Sequence, residues 1–179
     1  MTDPGFRVMS PLGFEITPDI EAEVKADPGR MPTSLQTPER RAELIEALVS
    51  GLVGERHKAL GQLAAWDPDK AVAAALRTML RSDDIFEASR AATGLARQRD
   101  ITDLPAVLHL VHELSPDEGG SGEAMIEPLR AALALAALAG DEIVEGVKGR
   151  ARGWRGDPKY RRQSWEKVLD EELDGLLAP

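Results

Sequence analysis

A seven-residue phrase recurs along this chain: Lys58-Ala59-Leu60-Gly61-Gln62-Leu63-Ala64, Arg90-Ala91-Ala92-Thr93-Gly94-Leu95-Ala96 and Arg130-Ala131-Ala132-Leu133-Ala134-Leu135-Ala136. Its pattern is basic, small, apolar, two free positions, Leu, Ala. The first two copies begin 32 residues apart and the next two 40 apart, the longer interval holding the run Ser115-Pro116-Asp117-Glu118-Gly119-Gly120-Ser121-Gly122. The same shift of 32 carries Val72, Leu76 and Met79 onto Leu104, Leu108 and Val111, so both halves of a unit repeat. Self-similarity of this kind marks stacked supersecondary units, because one unit alone leaves an apolar face in water.

Composition narrows the choice. The 179 residues are 42% hydrophobic but only 4% aromatic, so the core is built from Ala, Leu, Val and Ile, side chains that let helix backbones approach closely. A net charge of −9 opposes nucleic-acid binding through the surface as a whole, since phosphate binding needs a positive field. The absence of cysteine excludes disulfides and thiolate chemistry. The start, Met1-Thr2-Asp3-Pro4-Gly5-Phe6-Arg7, has no basic region followed by an apolar stretch, and a cytoplasmic location is the expectation. The most apolar run, Ala131 to Ala139, is shorter than the roughly 20 residues of a membrane span.

Residues 1–36 carry Pro4, Pro11, Pro18, Pro28 and Pro32 with Gly5, Gly13 and Gly29, a spacing that permits one short helix near Ile20 to Ala26 and otherwise an extended arm. Such an arm is either a loose terminus or a segment that docks through Phe6, Phe14 and Ile16. Residues 37–179 form the repeat domain. Helix starts are expected at Thr37-Pro38, Asp67-Pro68 and Asp157-Pro158, where a capping side chain precedes a proline whose missing N–H is harmless in the first turn. Asp84 with Glu87 resembles a capping box, and Asp103 before Leu104-Pro105 offers another start. Helical periodicity then predicts helices near 38–50, 53–66, 69–81, 85–98, 103–114, 123–139, 141–152 and 158–176.

The three phrases, the acidic turns Asp67-Pro68-Asp69 and Ser82-Asp83-Asp84, and the apolar helices after them resemble the HEAT-repeat family, in its short bacterial HEAT-like form, over about residues 38–152. The resemblance implies a right-handed all-α solenoid of stacked antiparallel helix pairs, HEAT/armadillo-like, closed by a C-terminal capping helix. It also implies that the second helix of each pair lines the concave binding face. Here those would be the helices beginning near Asp69, Asp103 and Asp141. Helical projection puts Arg77 and Arg81 on the outer side of the first, His109 at the equivalent place in the second, and Lys148 and Arg152 in the third. Arg77, His109 and Lys148 are then either a basic row for a partner or the solvated faces of amphipathic helices. On the first reading, reversal of Arg77 and Lys148 to Glu weakens partner capture without changing thermal stability.

Signals for chemistry are weak. His109 and His112 at i,i+3 lack a third ligand, with His57 far off in sequence, and do not form a metalloprotease motif. Asp67, Asp69, Asp83, Asp84, Asp100 and Asp103 fall where caps and turns are expected. Gly119-Gly120-Ser121-Gly122 lacks the lysine ending of a phosphate loop. Residues 148–162 hold seven Lys or Arg against the single Asp157, interleaved with Trp154 and Tyr160. That segment fits a structural seal for the last repeat, a contact for an acidic protein, or a single-strand nucleic-acid surface. The terminal helix, with Trp165, Val168, Leu169, Leu173 and Leu176 on one stripe, is expected to cap the stack.

The expectation is a non-catalytic protein-binding module or accessory subunit for an acidic partner, without cofactor, metal or membrane. Its candidate contacts are Arg77, Arg81, His109, Lys148, Arg152, Trp154 and Tyr160. The alternatives are single-strand nucleic-acid binding through residues 148–162, or a HEAT-like enzyme such as a chromophore lyase.

Overall fold

A computed structural model describes residues 8–113, 122–154 and 166–178. Among these residues the fold is all α. Its helices are α1 (Glu21–Ala26), α2 (Pro38–Ser50), α3 (Val53–Ala64), α4 (Lys70–Met79), α5 (Ile85–Gln98), α6 (Leu104–Glu113), α7 (Gly122–Ala137), α8 (Asp141–Trp154) and α9 (Glu166–Leu177). No strand forms there, only an isolated bridge between Met9 and Glu15. No helix among the described residues is long and apolar enough to cross a membrane.

Helix α2 packs on α3, α4 on α5 and α6 on α7, while α3, α5 and α7 lie side by side. These are the contacts of a stacked-helix arrangement. The repeated phrase sits on the three central helices, and Leu63, Leu95 and Leu135 are each 0% exposed. Burying a leucine stabilises by about 1.5–3 kcal/mol, so this row is a main source of cohesion. Ala59, Ala91 and Ala131 repeat beside it, all buried, and bring the helices close. The pairing corrects one implication of the family resemblance: α4 packs far more on α5 than on α3, so α4 and α6 are the first helices of their pairs. Helix α9 rests on α7 and α8, with Leu173 buried.

Local capping explains where the helices begin. The Thr37 hydroxyl accepts from the Arg40 amide at 3.1 Å, and Pro38 opens α2. Glu55 accepts from the Leu52 amide at 3.0 Å and starts α3. The expected cap at Asp67 is displaced to Asp69, whose carboxylate accepts from the Ala71 and Val72 amides at 2.8 and 3.0 Å. Asp67 is instead claimed from outside its helix, by Arg30 Nε at 2.7 Å and Gln36 Nε2 at 3.1 Å. At α5 only half of the capping box forms. Asp84 accepts from the Phe86 and Glu87 amides, but the Glu87 carboxylate turns to Arg56 and Ser82. The third proposed start, Asp157-Pro158, lies outside the described residues.

Residues 8–36 lie against the stack. Ile20, Val24 and Met31 are buried, and Phe14 packs on the core. A chain without ladder partners must satisfy its backbone elsewhere, and here the stack supplies them. Met31 donates its amide to the Ala65 carbonyl at 2.8 Å, and Gln62 Nε2 donates to the Leu12 carbonyl at 3.0 Å. Ile16 is half-buried, and Phe6 lies outside the described residues.

Candidate functional site

The residues singled out on α4 and α6 do converge. Arg77, Arg81 and His109 line one cleft of about 510 Å³ with Leu80, Ala106 and Leu110. Two helices displaced by one repeat bring equivalent positions together, as the shift of 32 requires. The charge, however, is already answered. Arg77 Nε donates to Asp103 Oδ1 at 2.6 Å, and its Nη2 donates to Asp103 Oδ2 at 3.0 Å and to Asp100 Oδ2 at 2.8 Å. Hydrogen bonding to Asp103 above all raises the Arg77 pKa, and Thr102 followed by Arg77 lowers that of Asp100. Asp103, expected to cap a helix, is a buried carboxylate held by this fork. The expectation that Arg77→Glu leaves stability untouched is therefore revised, since a third carboxylate would face Asp100 and Asp103.

The basic residues of α8 are placed differently. Lys148 Nζ donates to the Ala178 carbonyl at 2.6 Å and lies 3.7 Å from Glu145 Oε1. Arg152 Nη2 reaches Glu145 Oε2 at 3.4 Å. Lys148 is not among the residues lining the α4–α6 cleft. Trp154 is the last residue of α8, and Tyr160 lies outside the described residues, so residues 148–162 are described only as far as 154.

A second cleft, of about 420 Å³, opens between the turn at 11–13 and helices α3 and α5. Its walls include His57, Lys58, Gly61, Phe86, Glu87 and Arg90. Lys58 and Arg90 are the first residues of the first two phrases, equivalent positions on adjacent helices. Neither has an ion pair among the described residues, whereas Arg130, the third of the series, pairs with Glu172 of α9. Phe86 stands 53% exposed at the rim. The turn is held at the cleft by the Gln62 bond to Leu12 and by Gly13, whose φ of +78° favours glycine. A β-carbon at Gly13 would come within 2.9 Å of Lys58 Cε, so the lysine stem lies directly over it. The basic position of the phrase was the available signal for this site. What could not be read was that residues 11–13 form its wall.

Beneath the cleft, three groups from two helices meet. His57 Nε2 lies 3.5 Å from Asp84 Oδ2 and 3.6 Å from Glu87 Oε1, and the three atoms lie within 4.8 Å of one another. Glu87 is buried, with Arg56 Nε donating to Oε1 at 3.0 Å and Ser82 Oγ to Oε2 at 2.7 Å. Burial pushes the Asp84 carboxyl up, but the Glu87 and Phe86 amides and His57 outweigh it and hold it below the ordinary carboxylate range. In sequence, His57 lies far from the His109 and His112 pair. The stacking of α5 on α3 supplies it with two carboxylates.

No protein-family model matches this chain, and neither does any curated protein or solved structure.

Proposed function

We propose that this chain is a non-catalytic helical-repeat module of the HEAT-like, right-handed solenoid type, and that it holds an acidic segment of a protein partner in the cleft between residues 11–13 and helices α3 and α5. The observation that carries this reading is the pairing of Lys58 and Arg90 at one cleft in a chain of net charge −9. Most arginines of the described fold are spent on its own carboxylates: Arg30 on Asp67, Arg40 on Glu43, Arg41 on Asp69, Arg56 on Glu87, Arg77 on Asp103, Arg97 on Asp27, Arg130 on Glu172 and Arg152 on Glu145. Lys58 and Arg90 are not. Two cations in register, with an exposed aromatic ring beside them, suit a carboxylate-bearing segment that also carries an apolar side chain. Arg81 and His109 line the other cleft, where Arg77 is held by Asp100 and Asp103.

The test uses fluorescence anisotropy with a labelled Glu-rich peptide containing one Leu or Phe, against an oligothymidylate of equal charge. Peptide binding that falls about 10-fold or more in Lys58→Glu/Arg90→Glu, at unchanged melting temperature, is the expected result. Preference for the oligonucleotide, or equal peptide binding by the double variant, overturns it. Pull-down from native extract with and without nuclease then identifies the natural partner.

A further inference from the structure

We infer that His57, Asp84 and Glu87 form a binding site for a divalent transition-metal ion of the zinc, cobalt or nickel type, joining two successive repeats. His57 comes from α3, Glu87 from the first turn of α5 and Asp84 from the N-cap just before it. The separations carry the argument. At 3.5 and 3.6 Å, His57 Nε2 stands beyond ordinary N–H···O hydrogen-bond range from both carboxylates. Ligands at about 2.0–2.1 Å from a tetrahedral centre are spaced about 3.4 Å apart. The two His57–carboxylate separations thus match edges of a coordination polyhedron, and the two carboxylate oxygens lie within 4.8 Å of each other.

The supports behind these atoms fit the same reading. Asp84 Oδ1 accepts the Phe86 and Glu87 amides at 2.9 and 3.2 Å, leaving Oδ2 toward His57. Glu87 Oε2 is held by Ser82 Oγ, leaving Oε1 toward His57 with one lone pair on Arg56. Donors that orient carboxylates in this way are what metal ligands need behind them. His57 is 42% exposed in its side chain, so water from the cleft completes the coordination. One nitrogen and two oxygens favour a borderline cation over calcium or magnesium, which prefer oxygen alone.

The metal site shares this cleft with the partner reading, since His57 and Glu87 line it too, but the partner reading is argued from other residues, Lys58, Arg90 and Phe86. The full chain, freed of metal by chelator, is titrated with Zn²⁺ by calorimetry and with Co²⁺ by visible absorption. One ion per chain is expected, with affinity reduced about 10-fold or more in His57→Ala and in Asp84→Asn, which keeps a capping oxygen. His109→Ala is expected to bind as the parent does. In the parent chain, Co²⁺ should also shift the His57 ring resonances in the NMR spectrum, a readout that needs no variant. Absence of uptake, unshifted His57 resonances, or full binding by folded His57→Ala overturns the assignment.

Discussion

Gly94 of α5 lies so close to Ala64 of α3 that a β-carbon added at Gly94 would stand 2.8 Å from the Ala64 Cα. Leu76 Cδ1 of α4 is equally near. Three helices thus meet at one glycine, and the repeat stacks at a distance its side chains alone would not allow.

Substitution at that glycine should therefore break the usual rule for helices. Gly94→Ala gains roughly 1 kcal/mol of helix propensity but pushes α5 away from α3 and α4, and we expect a net loss of about 1–3 kcal/mol. Gly61, on α3, has nothing within 4 Å of its added β-carbon. Gly61→Ala should accordingly stabilise by about 0.5–1 kcal/mol. Urea denaturation of both variants reads the difference, and equal signs would contradict the packing described.

The Arg77–Asp103 fork predicts an asymmetric penalty. Asp103 is 4% exposed, so Arg77→Ala leaves a buried carboxylate without its main partner. Arg77 itself is partly solvated, which limits the cost to about 1–3 kcal/mol. Arg77→Ala/Asp103→Ala should cost less than the two single changes added together. A double-mutant cycle with no coupling would show that the pair contributes nothing.

Acid should weaken the fold through specific carboxylates. The carboxyls of Asp67, Asp69 and Asp84 all lie below their ordinary value: Arg30 is the largest influence on Asp67, and amide and arginine donors outweigh burial at Asp69. A depressed folded pKa contributes stability above the unfolded value of about 4 and loses it as pH falls through the folded value. Stability should therefore be level from neutral pH down to about 5 as far as these groups are concerned, then decline below about 4. Asp69→Asn, which preserves the cap, should be less stable than the parent at neutral pH, and the gap should close in acid. A gap independent of pH would contradict the linkage.

Arg99 ends α5 with φ +58°, a left-handed conformation that costs an L residue about 1–2 kcal/mol and glycine little. Arg99→Gly should raise the melting free energy by up to about 1 kcal/mol once the extra freedom of the unfolded glycine is counted. Thermal unfolding monitored by circular dichroism measures it.

Much of the helical plan was legible because it is local. The phrases placed Leu63, Leu95 and Leu135 at equivalent points, and all three are fully buried. The periodic ranges agree with α2 to α8 to within two residues at each end. Thr37 and Asp84 cap where expected, since a cap needs only its own next few amides. Asp67 and Asp103 did not follow that rule, because Arg30 and Arg77 approach them from distant parts of the chain and offer stronger, charged bonds. Glu87 left its capping box for the same reason, drawn to Arg56 of the preceding repeat.

What the sequence alone determined is most of the set of helices and, on α3, α5 and α7, the buried face, because periodicity and capping act over a few residues. Which cations remain unspent was decided only by tertiary structure. Arg77 and Lys58 look alike in sequence, yet one is gripped by two carboxylates and the other faces a cleft without an ion pair among the described residues. The physical reason is that electrostatic partners are chosen by distance in space, and stacking brings together residues that lie about one repeat apart along the chain.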